Sequence, residues 1–173
     1  LTMYRTHTCN ELRNTDIDSE VRLAGWVCNR RDHGGIIFID LRDRYGLTQV
    51  VFDPAHDESA WKIADSCRSE YVIQASGKVR KRPEGQANPN METGEIEVIT
   101  HEISILSTSE TPPFEITDRI DVREDLRLEY RYLDLRRDKM QKNLELRHKL
   151  VRSVREYHDE AGFIEIETPM MVK

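Results

Sequence analysis

Five short strand-like runs, with one helical stretch ahead of the fourth, predict a mainly β protein. A long amphipathic helix and a final short run follow them. Two glycines support tight coiling of the sheet. Gly25 and Gly77 each fall inside a strand-like run, where glycine permits a bulge or a close approach of backbones.

The elements follow in order. "VRLAGWVCNR" at 21–30 alternates Val21, Leu23, Gly25 and Val27 against Arg22, Ala24 and Trp26, the period of a strand with one buried face. "GIIFIDLRD" (35–43) and "GLTQVVFD" (46–53) are the second and third strands, with turn signals "DHGG" (32–35) and "DRYG" (43–46) between runs. In "DESAWKIADSCRSE" (57–70), Trp61, Ala64, Cys67 and Arg68 recur at helical spacing. "YVIQASGKVRKR" (71–82) and "GEIEVITHEISILS" (94–107) are strands four and five, joined by the polar loop "PEGQANPNMET". Three strands, a helix and two strands is the order of the five-stranded OB-fold, a partly open Greek-key barrel.

From 108 the pattern lapses into a polar stretch containing Pro112-Pro113, and "LRLEYRYLDLRR" follows at 126–137. A helix is expected from about 139 to 161. Asp138 and Gln141 have capping-box spacing, and Leu146, Leu150, Val151, Val154, Tyr157 and Ala161 form an apolar stripe. Gly162 suits the left-handed position after a helix, and "FIEIET" reads as a strand stopped by Pro169. The expected organisation is an OB-fold domain at 1–107, a linker or hinge at 108–137 and a helix-plus-strand unit at 138–173.

The chain has 173 residues and a formal net charge of −6, which argues against a general nucleic-acid binder of basic character. No apolar run approaches a membrane span, and no apolar leader opens the chain. Cys9, Cys28 and Cys67 are odd in number and widely spaced, as expected for reduced thiols of a cytoplasmic protein. No metal site is expected. His158, Asp159 and Glu160 read as a solvated helix end, and Glu165 and Glu167 as the wet side of a strand. The chain contains no phosphate-binding glycine loop, no dinucleotide fingerprint and no nucleophile elbow, so no catalytic residue is assigned.

The face built by strands 2 and 3 of such a barrel is where unpaired bases bind. Arg30 and Arg31 end strand 1, Phe38 lies on strand 2, Gln49 on strand 3, and Lys78, Arg80, Lys81 and Arg82 near the end of strand 4. A strand phenylalanine is commonly core. Here Ile37 and Ile39 claim the inward phase and leave Phe38 outward, free to stack on a base. Gln49 offers a donor and an acceptor to a base edge, and arginine a fork to base or phosphate.

The blocks "GWVCNRRDHGGIIFIDLRDRYGLTQVVFDP", "TGEIEV", "LRLEYRYLDLRR" and "GFIEIETPMM" occur in one order. Together they closely resemble the bacterial-type aspartyl-tRNA synthetases of class II, over nearly the whole chain. The resemblance implies the N-terminal part of a much longer enzyme. The last block resembles the family's motif 1, which contributes to a homodimer interface, with Gly162, Phe163 and Pro169 at the matching positions. ATP and Mg2+ are expected for the full-length enzyme and no cofactor for these residues, because motifs 2 and 3 have no match here. Aminoacylation by this chain alone is therefore not expected.

The resemblance also implies recognition of tRNA(Asp) through a GUC anticodon. Phe38 corresponds to the residue stacking on the middle uridine, Gln49 to its edge reader, and Arg31 to a contact with the third base. Arg82, Asn88 and Glu97 correspond to positions near the first base. His33 and Gly85 match positions where members that also charge tRNA(Asn) carry His and Gly, which implies relaxed specificity toward GUU. Two other readings fit parts of the chain: a related asparaginyl- or lysyl-tRNA synthetase, and an OB-fold module for single-stranded nucleic acid. The helix with "GFIEIETP" separates the first choice from the plain module, which has no use for it.

Overall fold

The computed structural model describes residues 4–168. The chain divides into two compact units, Leu1–Pro113 and Phe114–Lys173.

In the first unit, β1 (Glu20–His33), β2 (Ile36–Arg42), β3 (Leu47–Phe52), β4 (Val72–Lys81) and β5 (Ile96–Ser107) close into a barrel. Neighbours run β1-β2-β3-β5-β4, and β4 pairs back to β1. All pairings are antiparallel except β3 with β5, which matches Val50 to Val98 and Val51 to Ile99. The period-2 pattern places Val21, Leu23, Val27, Ile37, Ile39, Leu41, Val50, Phe52, Ile73, Ala75, Val79, Ile96 and Val98 in one core. The helix α1 (Glu58–Ser66) adds Ala60 and Ala64 to it, and Cys67 just beyond the helix joins them. Cys9 and Leu12, from the segment ahead of β1, are also fully buried there.

The two in-strand glycines are required by close approach. A Cβ on Gly25 would meet the Arg42 carbonyl oxygen at 2.3 Å, and one on Gly77 would meet the Ile99 carbonyl oxygen at 2.2 Å. Gly77 also sits where the β4–β5 register shifts, as expected of a bulge. The first hairpin is tighter than the sequence suggests. β1 continues through Asp32 and His33, and only Gly34 and Gly35 turn, with φ of +64° and +88°. Positive φ at both central residues matches the right-handed twist of the flanking strands.

In the second unit, the stretch expected to be a linker contains two short helices, α2 (Glu124–Glu129) and α3 (Arg131–Asp134). They gather around Asp134, whose fully buried carboxylate pairs with Arg127, Arg131 and Arg137. The helix α4 (Asp138–Glu160) then runs for 23 residues. Asp138 is its first helical residue and not its cap. The free amide of Lys139 donates instead to Asp118 Oδ2 at 3.0 Å, and Gln141 Nε2 donates to the Leu135 carbonyl at 2.6 Å. Gly162, at φ +83°, ends the helix, with the Phe163 amide on the His158 carbonyl and the Gly162 amide on Asp159.

The strand expected after Gly162 is not formed over 163–168. A strand needs a neighbour for its ladder, and none is paired with this segment among the described residues. Phe163, Ile164 and Ile166 are accordingly exposed, as are Leu146, Leu150, Val154 and Tyr157 of the α4 stripe. Pro169 lies outside the described residues. Among the described residues no helix is long and apolar enough to cross a membrane.

Candidate nucleic-acid interface

The outward phase of the barrel carries a hydrogen-bonded relay that crosses all five strands in barrel order. On β1, Asn29 Nδ2 and Arg31 Nη2 donate to the two oxygens of Asp40 on β2, at 3.3 and 2.7 Å. Arg31 Nη2 also reaches Gln49 Oε1 on β3 at 3.3 Å. Gln49 Nε2 donates to Glu97 Oε2 on β5 at 2.8 Å. The other oxygen of Glu97 accepts from Arg80 Nε on β4, again at 2.8 Å. The strand register explains the line: Asp40 lies across from both Asn29 and Gln49, and Arg80 across from Glu97. Asp40, Gln49 and Glu97 are buried, while Arg31 and Arg80 keep nearly half of their side chains in solvent. Buried carboxylates and an amide are tolerated there because each has a partner.

Phe38 stands next to this line. It pairs with Arg31 on one side and Val51 on the other, and it is half-exposed while Ile37 and Ile39 are fully buried. The His33 ring meets it edge-on, with centroids 6.0 Å apart. Arg31, Phe38, Gln49 and Glu97 are thus brought together, with His33 at their margin.

Arg82 follows β4 and is buried, its Nε donating to the Ile96 carbonyl at 3.0 Å. Burial lowers its guanidinium from the ordinary value, with Arg31 adding to this and with Glu97 and Asp40 opposing it. Asn88 lies in the β4–β5 loop, where its Oδ1 accepts from the Asn90 amide at 3.0 Å. Gly85 is in the same loop at φ +79°, with open space where a Cβ would stand. No hydrogen bond ties Asn88 or Gly85 to the relay among the described residues. Sequence reasoning passed over Asp40 and Asn29: Asp40 shares the outward phase of Phe38, whereas Asn29 and Arg31 continue the inward phase of Val21–Val27 in the sequence and turn outward only through the register shift between Val27 and Asn29.

A half-exposed aromatic beside fixed donors and acceptors is chemistry suited to an unpaired base: the ring supplies a stacking surface and the polar groups read an edge.

Known proteins share this build. Residues 21–106 match the family described as an OB-fold nucleic acid binding domain, and residues 123–173 the family of class II tRNA synthetases (D, K and N). An "Aspartate--tRNA(Asp/Asn) ligase" of Halothermothrix orenii is 56% identical across 98% of this chain, and one of Nitratidesulfovibrio vulgaris is likewise 56% identical. The chain spans 29% and 28% of the lengths of these two relatives. Among solved structures, asparaginyl-tRNA synthetase from Pyrococcus horikoshii superposes with a TM-score of 0.81 at 26% identity, over 98% of this chain and 39% of that one. A putative aspartyl-tRNA synthetase from Leishmania major, at 22% identity and TM-score 0.83, covers 98% of this chain and 36% of its own, and shares the fold. The chain thus carries an OB-fold nucleic-acid-binding domain at 21–106, followed at 123–173 by a stretch that matches the class II tRNA synthetases of the D, K and N type, and both lie within its 56% identity to aspartate–tRNA ligases.

Proposed function

We propose that this chain reads the anticodon of tRNA(Asp) for an aspartate–tRNA ligase. The observation that carries the proposal is the five-strand relay with Phe38 beside it. Phe38 stacks on the middle base, Gln49 reads its edge, and Arg31 contacts the neighbouring third base. Arg82, Asn88 and Glu97 face the first. The acidic net charge suits this role, because a reader of a few bases needs few phosphate contacts.

Aminoacylation, with ATP and Mg2+, is proposed for the whole ligase, and no residue here is assigned to either. The exposed stripe of α4, with Gly162 and Phe163, is proposed as part of a homodimer interface of that ligase. Three free cysteines suit a cytoplasmic setting. The names of the relatives support extension to tRNA(Asn), with His33 and Gly85 as the residues that relax specificity.

The test is binding of this chain to short anticodon stem-loops carrying GUC, GUU and CUU. Preference for GUC over CUU is expected, with GUU bound comparably to GUC. Equal binding of all three overturns the anticodon reading. Rejection of GUU with retention of GUC overturns only the extension to tRNA(Asn).

A further inference from the structure

A primary amide can turn over and exchange its donor with its acceptor. In Gln49 both ends are already engaged: Oε1 accepts from Arg31 Nη2, and Nε2 donates to Glu97 Oε2. A guanidinium only donates and a carboxylate only accepts, so one amide orientation satisfies both neighbours. Turning over would set Oε1 against a carboxylate and Nε2 against a guanidinium, at a residue only 6% exposed, where unsatisfied polar atoms are costly. The two neighbours are themselves held. Arg80 places Nε and Nη2 each 2.8 Å from Glu97 Oε1. Asp40 holds Arg31 at 2.7 Å.

We infer that Glu97, backed by Arg80, and Arg31, backed by Asp40, lock the amide polarity of Gln49, and that this lock makes the face choose uridine over cytidine at the stacked base. The inference rests on the anticodon reading above. The two pyrimidines stack alike on Phe38, but their edges are inverted. Uridine offers an acceptor O4 and a donor N3–H, and cytidine a donor amino group and an acceptor N3. Gln49 keeps one N–H and one oxygen lone pair for the base. An amide free to turn over meets either edge, whereas a locked one meets a single edge well. Glu97 and Arg80 are positioning residues for the middle base, whatever Glu97 does at the first.

The test compares this chain with its Glu97→Gln, Glu97→Asp and Arg80→Met variants, using stem-loops carrying GUC or GCC. Wild type is expected to prefer the uridine loop ~10-fold or more, the scale of one well-made base-edge contact. E97Q supplies a donor where the carboxylate stood, and E97D keeps the charge but draws it back from Gln49. Both are expected to bring the two loops to within ~2-fold, mainly by tighter binding of GCC. R80M is expected to narrow the ratio less. Thermal unfolding identifies any variant that fails to fold, and the remaining folded variants then decide.

Wild type without preference for the uridine loop sinks the anticodon reading and this inference together. Wild type that discriminates, beside folded variants that discriminate equally, overturns the lock alone. A merely structural role for Glu97 lowers both affinities and leaves their ratio in place.

Discussion

The indole Nε1 of Trp61 donates to the carbonyl oxygen of Gly35 at 2.7 Å. Through this bond α1 braces the tip of the β1–β2 hairpin, two residues beyond His33 and three before Phe38. Trp61→Phe keeps an aromatic ring, smaller than the indole, and removes the donor. Loss of one such bond costs about 0.5–1.5 kcal/mol, to be read as a lower thermal midpoint. Binding of the GUC stem-loop is expected to weaken as well, because the hairpin carries the proposed stacking surface.

Phe38→Ala tests the proposed stacking surface directly. Removal of a base-stacking ring costs about 1–3 kcal/mol of binding, and Phe38→Tyr or Phe38→Trp is expected to retain most of it. Phe38 is half-exposed and lies outside the core, so the thermal midpoint of F38A is expected to fall far less than that of a core truncation. Titration of the stem-loop alongside thermal melts separates the two effects.

Much of the barrel was legible because strands that share a closed core obey period 2. Ile37 and Ile39 fixed the phase of β2, and that phase alone turned Phe38 outward. Asp40 was not legible in the same way. Its role depends on which residues of β1 and β3 stand opposite it, and register is a property of pairing, not of one strand. Gln49 invited the reading of a solvated strand residue until its partners on β1 and β5 were known. The helices α2 and α3 escaped notice because each is little more than a turn long, and isolated helices of that length are not stable. They depend on Asp134, whose partners span the whole block. The cap of α4 comes from Asp118, 21 residues before Lys139, beyond the reach of any capping-box pattern.

Gly77→Ala is expected to be among the most damaging single changes in the barrel. The added Cβ would stand 2.2 Å from the Ile99 oxygen and 2.8 Å from the Thr100 Cα, both backbone atoms that cannot step aside cheaply. Overpacking of this kind costs about 1–3 kcal/mol or more. Denaturant unfolding of G77A beside G85A provides the comparison. The space at Gly85 is open, but its positive φ disfavours a side chain, so a smaller loss is expected there.

Asp134→Ala leaves the buried guanidinium of Arg137 without its closest carboxylate. Breaking a buried pair from one side costs about 3–5 kcal/mol. Amide exchange should accelerate through 124–137, while the barrel strands keep their protection. Uniform acceleration across both units would refute a local role for Asp134.

Asp57 caps α1, accepting from the Ala60 amide at 2.8 Å and from the Ser59 hydroxyl at 2.6 Å. The Ser59 hydroxyl first, and then the Ala60 amide, hold its carboxyl below the ordinary aspartate value. A folded-state value below the unfolded one stabilises the fold above the unfolded value, and that contribution is lost as pH falls through the folded one. Acidification below the ordinary aspartate range should therefore cost wild type a contribution that Asp57→Asn lacks. The two midpoint-versus-pH curves are expected to converge at the acid end.

Four of the cations on β1 and β4 are already matched: Arg30 with Asp65, Arg31 with Asp40, Arg80 with Glu97 and Lys78 with Asp18. A protein that grips RNA through unmatched cations displaces one condensed counterion for each phosphate it neutralises, and its affinity collapses as ionic strength rises. Here these four are already engaged, which leaves less charge to spend on phosphates. Its affinity should change only gently with salt concentration, and its choice among bases should hardly change at all.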